Sequence, residues 1–354
     1  MLPSVSGGIG HISRTSALAR ALRRMHPDIT IRYVLDTERL RPFNIEATRR
    51  MGFEPVLMQA RTPANRAQII RDCFGTADVI VDDCCRYLIP IRKLLPDCAW
   101  VSIPTHPVAD ELFMDWPYFE MMDAVIWAYP APIGIPADLD FVRHQIVQTG
   151  PLLDIEDVPA KAAARARLGW DEKPVILYAP RGFPFGKRFG HRVLSTLFRA
   201  AQALQQRSCP VRLMLLAVSD PAQLQGIEHV PDLLPDWVTC RGVVSPAESL
   251  LYTRAADVVI GEGTSTMHEG AALETPLILV PGPISEAETL AEAFRQRNAA
   301  HCFKVRQLRP EPVAEALEAC FTVSAAREAM LARAYELVTG GGGVEAAARA
   351  VLDV

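Results

Sequence analysis

The segment 256–281 (ADVVIGEGTSTMHEGAALETPLILVP) constrains the fold of this chain more than any other stretch. It begins with a short apolar run typical of a strand that is buried on both faces of a parallel sheet. A glycine-rich turn follows, then helical spacing over 266–274, and Pro276 ends that helix before a second apolar run. The pattern predicts a strand, a turn, a helix and a second strand, which is the repeating unit of α/β proteins.

Polar residues around this turn suit the binding of a nucleotide. The run Gly263-Thr264-Ser265-Thr266 lies where a phosphate can approach the amino terminus of the helix, whose free amides and dipole attract anions. Glu269 lies one turn inside the helix, too far in to be a cap, and its carboxylate can accept hydrogen bonds from the two vicinal hydroxyls of a ribose. The alternative is an ordinary strand–helix–strand unit with Ser and Thr capping.

The spacing of Gly263, Glu269 and Pro276 resembles the donor-nucleotide signature of GT-B glycosyltransferases of the MurG (family 28) and UDP-glycosyltransferase group. The resemblance implies an α/β protein with two doubly wound, Rossmann-like domains that face each other across a cleft. It also implies a metal-independent, inverting transferase that uses a nucleotide-sugar donor, with UDP expected and TDP as the alternative. The residues expected to bind the donor nucleotide are Arg181, Ser219, Val244, Gly263, Thr264, Ser265, Thr266 and Glu269.

Two domains are expected from the length of 354 residues, because typical domains have about 100–200 residues. Strand-like runs, one of them at 29–35, alternate with helical segments along the first half, which is typical of a doubly wound α/β domain. The predicted parts are an acceptor-binding domain over 1–153, a nucleotide-sugar-binding domain over 154–340, and a terminal helix within 341–354 that packs back on the first domain.

Composition argues against several classes of function. Asp and Glu (41) outnumber Lys and Arg (37), and no long basic run is present, so nucleic acid is not an expected partner. No apolar run approaches the roughly 20 residues of a membrane span and no signal segment is recognised, so a cytoplasmic protein is expected. The eight cysteines form no CxxC pair, and we predict neither a disulfide nor a metal site.

A second glycine-rich turn, Gly7-Gly8-Ile9-Gly10-His11, feeds a helix near the start of the chain. The GxGxxG spacing of dinucleotide sites is not met, and no acidic residue closes a clear second strand at the expected distance. His11 stands at the helix start, where the dipole disfavours the imidazolium and suits a neutral general base. In the family that the chain resembles, a His at this place faces the cleft. A His that only lines the turn is the alternative.

Ligands of doubly wound sheets bind beyond the carboxyl ends of the strands, which adds Asp83 and His106 to the candidates. Each could contact the acceptor or orient His11, and each could equally be an ordinary loop residue. The residues expected on the acceptor side are Gly8, Gly10, Arg14, Asp83 and His106. The acceptor is expected to be a small molecule or lipid-linked, with at most peripheral membrane contact. No cofactor is expected, since the nucleotide sugar is a substrate, and the oligomeric state is left open.

The run Gly10-His11-Ile12-Ser13-Arg14 also resembles the N-terminal motif of nucleotide-sugar hydrolases related to MurG that act in pseudaminic acid synthesis. Hydrolysis, with water in place of the acceptor, is therefore an alternative within the same fold. A nucleotide-sugar-binding subunit without turnover is the other alternative. Such a subunit would need Glu269 but would have no use for His11.

In the second half, a loop predicted at 180–188 brings three cations and two glycines to the carboxyl end of a strand. Arg181 is the predicted partner of the donor diphosphate, whose charge must be neutralised where no metal does so. By the resemblance, Val244 lies where the family reads the uracil edge with backbone groups. Glu288 and Thr289 replace the Gln pair that the family uses on the sugar hydroxyls. This replacement leaves the sugar open and suits a donor with a free amine.

Overall fold

The computed structural model describes residues 1–3, 10–37, 40, 42–59, 62–74, 77–83, 89–92, 95, 97–104, 116–180, 187–263 and 265–354. The chain divides into two compact units. The first is formed by Met1–Asp154 together with Thr339–Val354, and the second by Ile155–Val338. Among the described residues, no helix is long and apolar enough to cross a bilayer.

The first unit is built on parallel strands. Its strands are β1 (Leu2–Pro3), β2 (Tyr33–Asp36), β3 (Pro55–Met58), β4 (Val79–Asp83), β5 (Ala99–Ile103), β6 (Ala124–Trp127) and β7 (Ile146–Gln148). They form a five-stranded sheet in the order β1-β4-β5-β6-β7 and a parallel pair, β2-β3. Met1 joins the two sets, because its ammonium donates to the carbonyl of Arg32 (2.8 Å) and its carbonyl accepts from the amide of Val34 (3.0 Å). The combined order 3-2-1-4-5-6-7 is that of a doubly wound sheet, and it reverses between β1 and β4.

Helices cover this sheet. They are α1 (Gly10–Met25), α2 (Pro42–Arg50), α3 (Pro63–Phe74), α4 (Ile89–Arg92), α5 (Trp116–Glu120) and, near the end of the chain, α13 (Gly343–Leu352). Leu18 of α1 and Val344 of α13 are buried in one apolar cluster with Val101 of β5. The glycine run before α13 has a steric reason, since Gly341 has a φ of +115° and a Cβ there would lie 2.9 Å from the carbonyl oxygen of Thr149. Glycine is therefore the residue that fits where the chain returns to the first unit.

The second unit has a parallel sheet of six strands in the order β10-β9-β8-β11-β12-β13, which reverses between β8 and β11. The strands are β8 (Val175–Tyr178), β9 (Arg212–Leu215), β10 (Val238–Cys240), β11 (Val258–Gly261), β12 (Leu277–Leu279) and β13 (His301–Cys302). The helices are α6 (Lys161–Leu168), α7 (Lys187–Gln206), α8 (Pro246–Ala255), α9 (Ser265–Ala272), α10 (Ser285–Gln296), α11 (Pro310–Phe321) and α12 (Ala325–Thr339). Leu197 of α7 and Leu317 of α11 are buried against Ile176 and Ile260 of the central strands.

A cluster of charges fixes the amino-terminal edge of this second sheet. Asp257 accepts hydrogen bonds from Lys161 (2.7 Å), from Arg165 (2.8 Å) and from the backbone amide of Val175 (2.8 Å). These contacts attach α6 to the starts of β8 and β11. The opposite, carboxyl edge of the sheet is where ligands of such folds bind.

Three element boundaries differ from the sequence predictions. The strand predicted at 29–35 begins only at Tyr33, where its pairing with Pro55 of β3 begins. The loop predicted at 180–188 is shorter, because α7 already begins at Lys187. The helix predicted over 266–274 ends at Ala272.

The early end of α9 has a backbone cause. Glu274 takes a φ of +52°, and the amide of Thr275 donates to the carbonyl of Gly270 over 2.9 Å. The amide of Glu274 donates to Ala271 over 3.1 Å. This pair of bonds is a Schellman motif, which closes a helix through one residue in the left-handed region.

Candidate functional site

His11 and Asp83 lie where the strand order of the first sheet reverses. Asp83 ends β4 in register with Pro3 of β1, and His11 is the second residue of α1. The Nδ1 atom of His11 and the Oδ1 atom of Asp83 are 2.8 Å apart. The side chain of Asp83 is fully buried, whereas that of His11 is 20% exposed. The structure thus brings together two residues that the sequence nominated separately.

Arg14, one turn further along α1, holds the same carboxylate from a second side. Its Nε donates to Oδ2 of Asp83 over 2.6 Å, and its Nη2 donates to Oδ1. Burial alone would raise the pKa of Asp83, but the charge of Arg14 and the contact with His11 outweigh it and hold that pKa well below the ordinary value. Asp83 therefore remains a carboxylate throughout the neutral range.

This charge state determines which ring nitrogen of His11 carries the proton. A carboxylate can only accept, so Nδ1 of His11 must donate in the bond to Asp83. Nη2 of Arg14 lies 3.2 Å from Nδ1, but it is a donor as well, and it donates to Asp83 and to the carbonyl of Ile103 (3.5 Å). In neutral His11 this leaves Nε2 unprotonated and able to accept a proton.

The neighbouring Asp82 points to the other face of β4, as alternation along a strand requires. The hydroxyl of Tyr118 donates to its carboxylate, with distances of 2.6 and 2.7 Å to the two oxygens, and Ser102 bonds to the same hydroxyl. All three side chains are fully buried. Asp82 is thus part of the core, which leaves Asp83 as the carboxylate on the side of α1.

One expectation about the second strand was wrong. Asp36 is an acidic residue that ends β2, the place where dinucleotide folds carry the carboxylate for a ribose. Sequence reasoning missed it because the predicted strand ended at residue 35, one residue before Asp36. In the structure the carboxylate of Asp36 pairs with Arg66 over 3.1 Å, and each side chain is only 9% exposed. The pairing with Arg66 engages this carboxylate within the protein.

At the carboxyl edge of the second sheet, the glycine turn after β11 packs closely on α10. Gly263 has a φ of +81°, and a Cβ there would lie 2.6 Å from the carbonyl oxygen of Ala287. Only glycine allows this approach. Ser265 and Thr266 form the start of α9 directly after the turn, and both are partly exposed. The predicted donor residues Gly263, Ser265 and Thr266 therefore lie together at one helix start.

Glu262, the residue before Gly263, ties the same turn to β8 and to the segment after β12. Its Oε1 accepts a hydrogen bond from the hydroxyl of Tyr178, the last residue of β8, over 2.6 Å. Burial first, and then the charge of Glu262, raise the pKa of Tyr178 well above its ordinary value, so this hydroxyl stays a donor. The carbonyl of Glu262 also accepts from the amide of Gly282 over 3.0 Å. Sequence reasoning missed this pair, because Tyr178 is more than 80 positions away.

Glu269 lies inside α9 and is 7% exposed. Its Oε2 accepts a hydrogen bond from the hydroxyl of Ser249 on α8 over 3.1 Å. Burial raises the pKa of Glu269 to about 7, and the bond from Ser249 opposes this shift. Shifts of this kind are frequent at functional sites. Ser249 was not among the residues that the sequence nominated.

The loops after β9 and β10 hold two further nominated residues. A Cβ on Gly242 would lie 3.2 Å from Cβ of Ser219, and the amide of Gly242 donates to Val218 over 2.7 Å. The amide of Ser219 donates to the side chain of Gln223 over 3.0 Å. Val244 is partly exposed and comes directly before Ser245, the N-cap of α8.

Of the remaining nominated residues, three lie within the described part of the chain and four lie outside it. Glu288 is exposed and Thr289 is partly buried, and both lie in the first half of α10. Gly10 is the first residue of α1. Outside the described residues lie Gly8, His106, Arg181 and Thr264. Within the described ranges, no group of three or more His, Cys, Asp or Glu side chains is arranged to hold a metal ion.

Comparisons with known proteins agree with this arrangement. Residues 247–340 match the family model of the glycosyltransferase family 28 C-terminal domain, a segment that contains the glycine turn, α9 and Glu269. No curated protein matches the chain significantly in sequence.

Solved structures are similar over nearly the whole chain. The calicheamicin glycosyltransferase CalG4 is 20% identical, with 98% of this chain and 96% of that chain covered and a TM-score of 0.63. MurG of Acinetobacter baumannii is 14% identical, with 100% and 98% covered and a TM-score of 0.59. The glycosyltransferase VinC in complex with dTDP is 13% identical, with 99% and 98% covered and a TM-score of 0.62. The predicted GT-B fold is confirmed, and the family match together with these structures supports a GT-B glycosyltransferase.

Proposed function

We propose that this chain is an inverting, metal-independent glycosyltransferase that moves a sugar from a UDP-sugar to a small-molecule or lipid-linked acceptor. The observation that carries the proposal is the 2.8 Å contact between His11 and the buried carboxylate of Asp83 at the switch point of the first sheet. The donor motif of the second unit supports it. The cytoplasmic location that the sequence predicts remains part of the proposal.

In this mechanism His11 is the general base. Its Nε2 takes the proton of the acceptor hydroxyl while the hydroxyl oxygen forms a bond to the anomeric carbon. The bond between that carbon and the diphosphate breaks, and UDP leaves with the electron pair. A single displacement of this kind inverts the anomeric configuration. Asp83 stabilises the imidazolium that forms and holds the ring in the required tautomer.

The second unit would bind the donor. The free amides at the start of α9, around Ser265 and Thr266, suit the departing diphosphate, and Arg181 would supply a compensating charge. Glu269 would accept hydrogen bonds from the ribose hydroxyls. The backbone at Val244 would meet the base, next to Ser219. Glu288 and Thr289 would face the sugar, as the resemblance implies.

The proposal is tested by incubating the purified protein with a panel of UDP- and TDP-sugars, with and without candidate acceptors, and measuring the nucleotide released. A transferase releases nucleotide in proportion to the glycoside formed. Release of UDP or TDP that needs no acceptor would instead identify a hydrolase. One observation keeps that alternative in the test: Arg14, part of the motif shared with hydrolases, bonds to the same carboxylate as His11.

A third outcome would overturn catalysis altogether. Nucleotide binding without any release, in every combination of donor and acceptor, would favour the non-catalytic binding subunit. That outcome would leave the position of His11 beside Asp83 without a chemical purpose.

A further inference from the structure

Helix α8 connects two parts of the candidate donor site. It begins at the N-cap Ser245, directly after Val244, and a capping box fixes this start. The Oγ of Ser245 accepts from the amide of Glu248 (3.2 Å), while Oε2 of Glu248 accepts from the amide of Ser245 (2.8 Å). Ser249 follows one turn later, with its amide bonded to the carbonyl of Ser245 over 2.8 Å. The helix thus brings the Ser249 hydroxyl to Glu269 from a capped start beside Val244, the residue proposed to meet the base.

The Ser249 hydroxyl approaches a carboxyl group that is almost removed from water. Glu269 is 7% exposed, and its Oε2 lies 3.1 Å from Oγ of Ser249. An ionised carboxyl in such a place is costly unless donors compensate it. The Ser249 hydroxyl donates a hydrogen bond to this carboxyl and so lowers the cost of its charge.

Among the described residues, few charged side chains lie on the elements that pack against α9. On α8 they are Glu248, which is used in the capping box, and Arg254, whose Nη1 donates to the carbonyl of Leu273 directly after α9. Neither β11 nor β12 carries an ionisable side chain. On α9 itself the neighbour is His268, which is buried. Glu262 lies in the turn before α9 and bonds to Tyr178.

We propose that Ser249 is a positioning residue for donor binding, whose hydroxyl keeps Glu269 charged and aimed at the ribose. The inference rests on the proposed function and adds a proton linkage to it: the site binds donor well only when the Glu269 carboxyl is ionised. The Ser249 hydroxyl uses one lone pair of Oε2 of Glu269. The remaining lone pairs of the carboxylate can accept hydrogen bonds from the two ribose hydroxyls. A protonated carboxyl has lost acceptor capacity and would itself need an acceptor.

The sign of the linkage follows from the burial of Glu269. Burial raises the pKa of Glu269 to about 7. Donor affinity should therefore be complete above this pH and should fall below it, by up to about tenfold per pH unit. Removing the Ser249 hydroxyl makes ionisation harder, so the midpoint of the affinity profile should move to higher pH by about one unit.

The experiment measures the Kd of UDP-glucose and, in parallel, of TDP-glucose between about pH 5.5 and 8.5. These probes carry a diphosphate esterified at both ends, so they lack the ionisation near pH 6 of a terminal phosphate. The variants are Ser249→Ala, Ser249→Thr, which retains the hydroxyl, and Glu269→Gln, which cannot titrate. We expect a midpoint near 7 in the unchanged protein and in Ser249→Thr, a higher midpoint in Ser249→Ala, and a flat, weak profile in Glu269→Gln.

The possible failures are distinct. Tight binding that does not change with pH in the unchanged protein, or a midpoint that Ser249→Ala leaves in place, would overturn this inference while the proposed function stands. Absence of binding of both probes by the folded protein at every pH would overturn the proposed function, and the inference with it. Loss of affinity in Ser249→Ala without a shift in midpoint would show that Ser249 only supports the packing of α8.

Discussion

The carboxylate of Asp83 is fully buried and lies 2.8 Å from Nδ1 of His11, and the same carboxylate is bonded to Arg14. An isolated His and Asp would carry one net negative charge when the ring is neutral. With Arg14 the cluster is neutral in that state, so the buried carboxylate is compensated while Nε2 of His11 remains free to take a proton. The arrangement fits a base that must be neutral before the reaction and charged after it.

Replacing Asp83 should therefore reduce turnover through His11. In Asp83→Asn the amide no longer fixes the tautomer or stabilises the imidazolium, and we expect kcat to fall by roughly 10²–10⁴-fold. Breaking the pair with Arg14 should also destabilise the first unit, by about 3–5 kcal/mol. Asp154→Asn is the matched control, since Asp154 pairs with Arg20 and Arg24 further along α1. It should lower the melting temperature and leave kcat intact. Equal kcat in both variants would remove Asp83 from the mechanism.

Glu269→Ala should weaken binding of the donor. A carboxylate that bridges two ribose hydroxyls makes hydrogen bonds worth roughly 1.5–3 kcal/mol each before competition by solvent. Calorimetric titration with UDP should show a Kd at least about tenfold higher. Glu292→Ala, which removes a carboxylate from the neighbouring α10, should bind UDP normally. An unchanged Kd for UDP in Glu269→Ala would refute the assignment of Glu269 to the ribose hydroxyls.

The stability of the free protein should report the cost of the Glu269 charge. The pKa of Glu269 in the folded protein is raised to about 7. Proton binding by this carboxyl therefore stabilises the fold fully below the pKa that Glu269 has in the unfolded chain, and this stabilisation is lost as pH rises through 7. Glu269→Gln removes the titration. At pH 8 we expect this variant to melt at a higher temperature than the unchanged protein, with the difference smaller or absent at pH 5. A difference that is the same at both pH values would contradict the burial argument.

Gly263→Ala tests the packing of the donor turn. The added Cβ would meet the carbonyl oxygen of Ala287 at 2.6 Å, in a residue with a φ of +81°. We expect a loss of more than about 1 kcal/mol of stability, because neither the backbone angle nor the contact can be kept. The turn should also move away from the start of α9 and weaken UDP binding. Gly226→Ala is a suitable control, since Gly226 has a φ of +75° but no atom within 4 Å of its Cβ position.

Much of this arrangement could be predicted from the sequence, since it follows local patterns. Apolar runs alternating with helices indicated the parallel sheets, and the rule that ligands bind at carboxyl ends of strands nominated Asp83. The contact of Ser249 with Glu269 could not be predicted, because it depends on how two helices pack. Asp36 was missed for a different reason, since an apolar pattern does not show that strand pairing continues into a charged residue.

The most direct test of the account compares turnover and UDP affinity in His11→Ala. We expect kcat to fall by about 10²–10⁴-fold while the Kd for UDP stays within about a factor of two. His26→Ala, at the exposed end of the same helix region, should behave as the unchanged protein. Normal turnover in His11→Ala would contradict the account, because the hydrogen bond to Asp83 would then have no part in the chemistry.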